Sequence, residues 1–387
     1  MLIMTGVHGA GGIERVLADA RQAITRDIVE RALGVAGVSQ IILSTNSRTL
    51  ARWARSRGVA VELDPPQGSF HFGNRLREIA LAHGAQRILY MGGGTGALLQ
   101  TADIARIVRA VGRADSVLLT NNYYSTDFAA FAPASVLDTI DLPAIDNDLG
   151  WVLGEKAGLP NQSLERTAAT QLDVDTPTDL MALAAHPGVG PHTRAFLDGL
   201  EFDTSHLERA LGVLVDRQAE ILVAGRVSSS TWGYLERETA CRVRVFAEER
   251  GMRASGRQAR GEARSLLGYY YQQVGAQHFF DSLASMCQAI FLDSRVVFSH
   301  LGVWPPADDR YNSDLLRPQL IGDETVRTFT EAALSARVPV VLGGHSLVSG
   351  GMYALVEAAW VRSAVNVPRY VDHRTWGEPG SGQPQIS

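Results

Sequence analysis

Two carboxylates spaced two apart, Asp173 and Asp175, close the segment Thr170-Gln171-Leu172-Asp173-Val174-Asp175, which runs straight into Thr176-Pro177-Thr178-Asp179-Leu180. Residues two apart in a strand share a face, so the segment is expected to be a strand whose carboxyl end projects both carboxylates together. Thr176 suits the N-cap of a following helix, Pro177 its first position, and Asp179 the reciprocal place of a capping box. Paired carboxylates beside a helix N-terminus can hold a hard cation with a phosphate bound to it. An ordinary strand-to-helix turn, where Asp is common, would look the same.

A second candidate opens the chain. The strand Leu2–Thr5 leads into Gly6-Val7-His8-Gly9-Ala10-Gly11-Gly12 and then Ile13-Glu14-Arg15. Gly6, Gly9, Gly11 and Gly12 would let the backbone approach a phosphate, and Arg15 adds charge. The spacing fits neither the Walker motif nor the dinucleotide fingerprint, and a flexible turn is the plain alternative.

The order of such features resembles a MobA-like nucleotidyltransferase domain over residues 1–185. It is closest in pattern to the guanylyltransferases that activate 2-phospholactate or phosphoenolpyruvate. After the first loop come Ile28–Leu33, the strand Gln40–Thr45, and Gly73-Asn74-Arg75-Leu76, similar to the family's Leu-Asn-x-Ala-Leu helix start. Arg87–Met91 and Leu98-Leu99-Gln100-Thr101-Ala102-Asp103 resemble its strand-loop-helix. Ser125-Thr126-Asp127 stands where the family has Gly-Thr-Asn, and Leu172–Leu180 matches its Asp-x-Asp-Thr-Pro-x-Asp-Leu ending.

The resemblance implies a glycosyltransferase-A-like, Rossmann-like α/β domain with a mostly parallel sheet flanked by helices. It also implies transfer of an NMP from a nucleoside triphosphate to a small phosphorylated or hydroxylated acceptor, releasing pyrophosphate. Mg²⁺ would be held by Asp173, with Asp175 sharing it or capping the next turn. The Gly6–Gly12 loop and Arg15 would embrace the triphosphate, Gly73 and Asn74 would face the base or ribose, and Thr126 and Asp127 the acceptor. One departure is large. The family's central strand ends in a metal-binding Asp, and this chain has Met91-Gly92-Gly93-Gly94-Thr95-Gly96 instead. Gly93, Gly94 and Thr95 could form a phosphate cradle there. The first loop also lacks the family's Lys, for which Arg15, Arg21 or Arg26 could stand in. A degenerate fold serving as a ligand-binding or assembly module remains an alternative, and so does sugar-nucleotide glycosyl transfer.

A chain of 387 residues is long enough for two domains. Pro and Gly over residues 186–195 mark a linker, with a second α/β domain expected over 196–371 and a flexible tail over 372–387. Hydrophobic residues at 45% and charged ones at 20% exclude general disorder, and the net charge of −5 argues against a nucleic-acid partner. Two cysteines, no leader-like start and no run of ~20 apolar residues point to a cytoplasmic protein with no membrane span. The expected partners are a small-molecule substrate and a nucleotide, and a homo-oligomer is compatible.

In the second half, helices are expected over Phe196–Ala219, 254–289, Asp323–Ala336 and Met352–Ala364. Strands are expected over Ala219–Val227, Cys241–Ala247, Ala289–Phe298 and Val338–Leu342. Arg253, Arg257, Arg260 and Arg264 would fall within a ~60° arc of one helix, where nearby Glu248, Glu249 and Glu262 favour an ion-paired face. Gly343-Gly344-His345-Ser346-Leu347-Val348 approaches a nucleophile elbow, but Val348 stands where that turn needs Gly, which favours an anion-binding turn. The histidines and aspartates of this half show no ligand spacing, and Asp314 and Asp323 suit helix caps.

Overall fold

A computed structural model of the chain describes residues 1–7, 12–64, 70–252 and 255–363. Gly9, Gly11, Arg253 and the expected tail lie outside the described residues. Seven strands form the first sheet: β1 (Leu2–Thr5), β2 (Ile42–Thr45), β3 (Ala60–Leu63), β4 (Ile88–Gly96), β5 (Val117–Thr120), β6 (Phe128–Ala132) and β7 (Asn161–Ser163). Their order is β3-β2-β1-β4-β6-β5-β7. Among the described residues only the pairings of β6 are antiparallel, so the carboxyl ends of β1, β4 and β5 share an edge with the amino end of β6. In register, Ile3 faces Leu43 on one side and Met91 on the other.

Helices α1 (Gly12–Leu33), α2 (Arg48–Ser56), α3 (Phe72–Ala82) and α4 (Thr101–Arg113) flank this sheet. Leu17, Ile24 and Ile28 of α1, with Ile104, Ile107 and Val111 of α4, recur at helical spacing and bury one stripe in a common core. Leu76 and Ile79 of α3 cover the other face. This is the mostly parallel, helix-flanked α/β class that the sequence indicated.

Helices α5 (Pro177–Ala185), α6 (Pro191–Leu197) and α7 (Ser205–Leu214) lead to a second sheet. That sheet holds β8 (Glu220–Gly225), β9 (Arg242–Ala247), β10 (Ala289–Asp293) and β11 (Val340–Gly343), all parallel, in the order β11-β10-β8-β9. Its helices are α8 (Ser229–Glu238), α9 (Leu266–Ala284), α10 (Arg295–His300), α11 (Ala307–Asp314), α12 (Glu324–Leu334) and α13 (Met352–Arg362). Among the described residues no helix is long and apolar enough to cross a membrane. Cys241 and Cys287 are buried free thiols.

Several sequence expectations change. Phe196–Ala219 is two helices, α6 and α7, broken over 198–204. The strand begun at Ala289 stops at Asp293, and its apolar continuation Val296-Val297-Phe298 is buried helix. Residues 255–261 are turns and 262–264 are irregular, with Gly256 and Gly261 at φ +70° and +67°, so Arg257, Arg260 and Arg264 do not share a helix face. Arg257 pairs with Glu249 at 2.6 Å and Arg260 with Glu262 at 2.9 Å. Asp314 ends a helix rather than starting one, whereas Asp323 caps α12 through Val326 N–H at 3.0 Å.

Helix α5 joins the two halves. Its Leu180 and Leu183 enter the first core, its Met181 and Ala182 the second. Thr178 Oγ1 donates to the Leu342 carbonyl of β11 at 2.6 Å. Nearby, a Cβ on Gly350 would stand 2.0 Å from the Gln171 carbonyl oxygen and 2.4 Å from Leu172 N. Backbone cannot move aside as a side chain can. Gly350→Ala is therefore expected to destabilise the protein by ~1–3 kcal/mol, checked by denaturant melts.

Candidate active site at the end of β4

The glycine run of β4 brings backbone where side chains would collide. A Cβ on Gly93 would lie 2.1 Å from Thr5 Oγ1 of β1. Gly94 has φ +117°, and its Cβ would stand 3.2 Å from both Arg21 Nε and Asp173 Oδ1. An Asp at the position of Gly94 would thus be strained and would crowd the Asp173 carboxylate.

Leu172–Asp175 has no regular secondary structure and belongs to neither sheet, which corrects the expected strand. Its ladder groups are used otherwise. Leu172 N–H donates to the Ala168 carbonyl at 3.0 Å, closing the helical turn Ala168–Gln171. The Val174 carbonyl accepts from Arg21 Nε (3.0 Å) and NH2 (2.8 Å). Alternation survives without a ladder, with Leu172 and Val174 buried, Asp173 half-buried and Asp175 exposed. Arg21 also reaches Asp175 Oδ1 at 3.2 Å.

The helix start follows the sequence reading. Thr176 is the N-cap of α5, Pro177 its first residue, and the capping box with Asp179 is formed. Asp179 Oδ2 accepts from Asp175 N–H (3.0 Å), Thr176 N–H (2.7 Å), Thr176 Oγ1 (2.9 Å) and Ser346 Oγ (2.7 Å). The Ser346 hydroxyl is thereby committed to a cap, which leaves the elbow reading without a nucleophile.

Two further carboxylates approach from the segments before and after the antiparallel strand β6. Gly92 N–H donates to the Asp127 carbonyl at 3.0 Å, which sets Asp127 beside the end of β4. Asn121 holds the Asp127 side chain at 2.8 Å and receives the N–H groups of Asp127 and Phe128 at 3.1 and 3.3 Å. Asp146 Oδ2 accepts from buried Tyr90 Oη at 2.9 Å and would lie 3.4 Å from a Cβ on Gly92. Charge therefore reaches the end of β4 from loops, although β4 carries none.

Burial, then Asp175 and Asp127, push the Asp173 carboxyl well above its ordinary value, against the pull of Arg21. Burial raises Asp127 to about 7, opposed by its bond from Asn121 and helped by Asp175 and Asp146. Burial likewise raises Asp146 and takes Asp179 to about 7. A carboxyl raised on folding contributes stability at low pH that is lost as pH climbs from its unfolded 3.8 through about 7. The melting temperature of the metal-free protein is expected to fall by a few degrees over that window. Asp127→Asn should flatten the fall in a pH series of thermal melts.

The other sequence candidates are placed differently. Arg15 ion-pairs with Asp19 at 3.1 Å, on a face of α1 away from Arg21. It lines an open pocket of about 760 Å³ with Asp19, Gln22, Arg26, Asn46 and His192. Of the opening glycines, Gly6 is half-buried, and Gly12 starts α1 at φ +58° against Asp308 of α11. Gly73 N–H donates to the Pro143 carbonyl at 2.9 Å, and a Cβ there would strike Leu142 Cβ at 2.3 Å. Asn74 is exposed beside it. Thr95 is buried against Ile24 and Ile28. The buried Thr126 hydroxyl donates to the Asn122 carbonyl (2.8 Å) and accepts from Gly150 N–H (3.0 Å). Asp127, Gly93 and Gly94 lie with Asp173. Asp146 and Tyr90, 56 residues apart, carried no local signal.

Among solved structures, the chain is similar to CMP:2-keto-3-deoxy-manno-octonic acid synthetase complexed with CTP, at 15% identity and TM-score 0.33, covering 48% of this chain and 95% of that one. It is similar to a cytidylyltransferase from Leptospira borgpetersenii serovar Hardjo-bovis, at 14% and 0.37, covering 51% and 90%. It is also similar to 4-diphosphocytidyl-2C-methyl-D-erythritol synthase, at 14% and 0.33, covering 51% and 98%. No family model and no curated protein matches.

Proposed function

We propose that the protein is a nucleotidyltransferase, passing an NMP from a nucleoside triphosphate to a small acceptor and releasing pyrophosphate. The observation that carries this reading is the gathering of Asp173 and Arg21 at Gly94, with Asp175 on Arg21 and with Asp127 and Asp146 at Gly92. Carboxylates that repel one another when ionised are a receptor for a cation. An all-oxygen set suits Mg²⁺, which takes one or two carboxylates and completes its shell with water and substrate phosphates. Among the described residues no group of three or more His, Cys, Asp or Glu could hold a metal ion alone. Asp173 and Asp175 would hold it jointly with the nucleotide, and the ion would neutralise charge on the triphosphate.

This chemistry asks for position and charge more than covalent help. Arg21, fixed on Val174 and Asp175, would face the phosphates, and the N–H groups of Gly93 and Gly94 would line their path. Such a reaction belongs in the cytoplasm, where nucleoside triphosphates are made. A second reading, a ligand-binding module without transfer, draws on the missing carboxylate of β4 and on the occupied N–H of Gly73. Screening the four ribonucleoside triphosphates with phosphorylated and hydroxylated acceptors and Mg²⁺ tests both. Pyrophosphate release supports transfer. Nucleotide binding indifferent to Mg²⁺, with no release, supports the module, and neither binding nor release sinks the transfer reading.

A further inference from the structure

The second sheet has a site of its own. In the order β11-β10-β8-β9 the chain leaves β8 for one side and returns to lay β10 on the other. Parallel sheets bind ligands in the crevice that opens at such a switch point, outside the carboxyl ends of the strands. Here Gly225 closes β8 at φ +124°, with the place of its Cβ 2.4 Å from Asp293 Cβ. Arg226 then forks onto Asp293 at 2.6 and 3.0 Å. Arg250 follows β9 by three residues and His345 follows β11 by two. Arg166 comes from the first half, just before the turn Ala168–Gln171 that packs on Gly350.

These groups act on one another. Arg250 feels burial and the like charges of Arg166 and Arg226, all of which push its pKa down. Neither Arg166 nor Arg250 has an ion-pair partner among the described residues. His345 sits among Arg226, Arg250, Asp293 and Asp175, and burial takes its pKa to about 4, so the ring is neutral. Its Nε2 is shut off from solvent and has no hydrogen-bond partner among the described residues. Beside the second sheet Arg226 is balanced by Asp293, while the positive charges of Arg166 and Arg250 have no counter-ion among the described residues. Two uncompensated charges and a spare ring nitrogen match one dianion with several oxygens.

We propose that this crevice binds a phosphate monoester dianion through Arg166, Arg226, Arg250 and the Nε2–H of His345, and that it seats the acceptor of the transfer reaction. Binding of phosphate stands on the second sheet alone; the acceptor role rests on the nucleotidyl-transfer reading. Asp175 N–H and the hydroxyl of Ser346, which follows His345, both bond Asp179 Oδ2, at 3.0 and 2.7 Å, so a phosphate held at His345 would lie near Asp175. An oxygen of the dianion would attack the α-phosphorus, forming one P–O bond as the bond to pyrophosphate breaks. No proton has to leave the nucleophile.

Titrating the full chain with inorganic phosphate and with glycerol 2-phosphate, followed by calorimetry without nucleotide or metal, tests the site. Saturable binding of both in competition is expected. Arg166→Gln and Arg250→Gln, both at exposed positions, should each weaken it about tenfold or more, while Arg52→Gln on α2 leaves it unchanged. Absence of saturable binding, phosphate binding without competition from the monoester, or unchanged affinity in both variants would overturn the proposal. Intact phosphate binding without pyrophosphate release sinks the transfer reading and the acceptor role, and leaves the anion site standing.

Discussion

Asp173→Asn abolishes Mg²⁺-dependent nucleotide binding and pyrophosphate release while leaving the melting temperature unchanged or higher. The reason lies in the charge balance around Gly94. The ionised Asp173 carboxylate is opposed by burial, by Asp175 and by Asp127, and only Arg21 favours it. An amide of the same shape relieves that repulsion, so the fold loses nothing. A divalent ion depends on the same repulsion, because it is the excess of negative charge that attracts it. Asp175→Asn should do less, since Asp175 is exposed and already paired with Arg21 at 3.2 Å. Calorimetry with Mg²⁺ and nucleotide, alongside thermal melts of both variants, makes the measurement. A sharply lowered melting temperature with untouched nucleotide affinity would make Asp173 a structural residue and remove the main support for transfer.

What the sequence made legible was local. The helix start at Thr176-Pro177-Thr178-Asp179 could be read because a capping box is decided by residues three apart. Strand-helix alternation gave the α/β class for the same reason. Leu172–Asp175 misled because its alternation is genuine, while its partners, the Ala168 carbonyl and the Arg21 guanidinium, were not foreseeable from spacing. Ala289–Phe298 misled because an apolar run cannot tell a buried strand from a buried helix, and the strand ends at Asp293, whose partner Arg226 is 67 residues away. Arg21 could be named only as one of three stand-ins, and Asp146 not at all. Each owes its place to a partner distant in the chain.

Asp314→Ala is expected to give the largest loss of stability of any substitution considered, about 3–5 kcal/mol, and to leave the protein poorly folded at 37 °C. Asp314 is fully buried and takes both arms of Arg295, itself 6% exposed, at 2.5 and 2.6 Å. Burial works against the Arg295 charge, but Asp314 outweighs it and raises the guanidinium pKa, with Asp293 adding to the effect. Removing the acid leaves that guanidinium desolvated with Ser294 as its remaining side-chain partner. The loss should spread. Arg295 opens α10 directly after β10, and Asp314 ends α11, which packs against α1, so the pair ties the second sheet to the first domain's principal helix. Substituting both members, Arg295→Met with Asp314→Leu, should recover most of the loss, because the cost comes from one unpaired buried charge and not from absence of the pair. Denaturant melts of the single and double variants decide it. A double variant no more stable than Asp314→Ala would mean that the geometry of the pair, and not its charge, holds α11 in place.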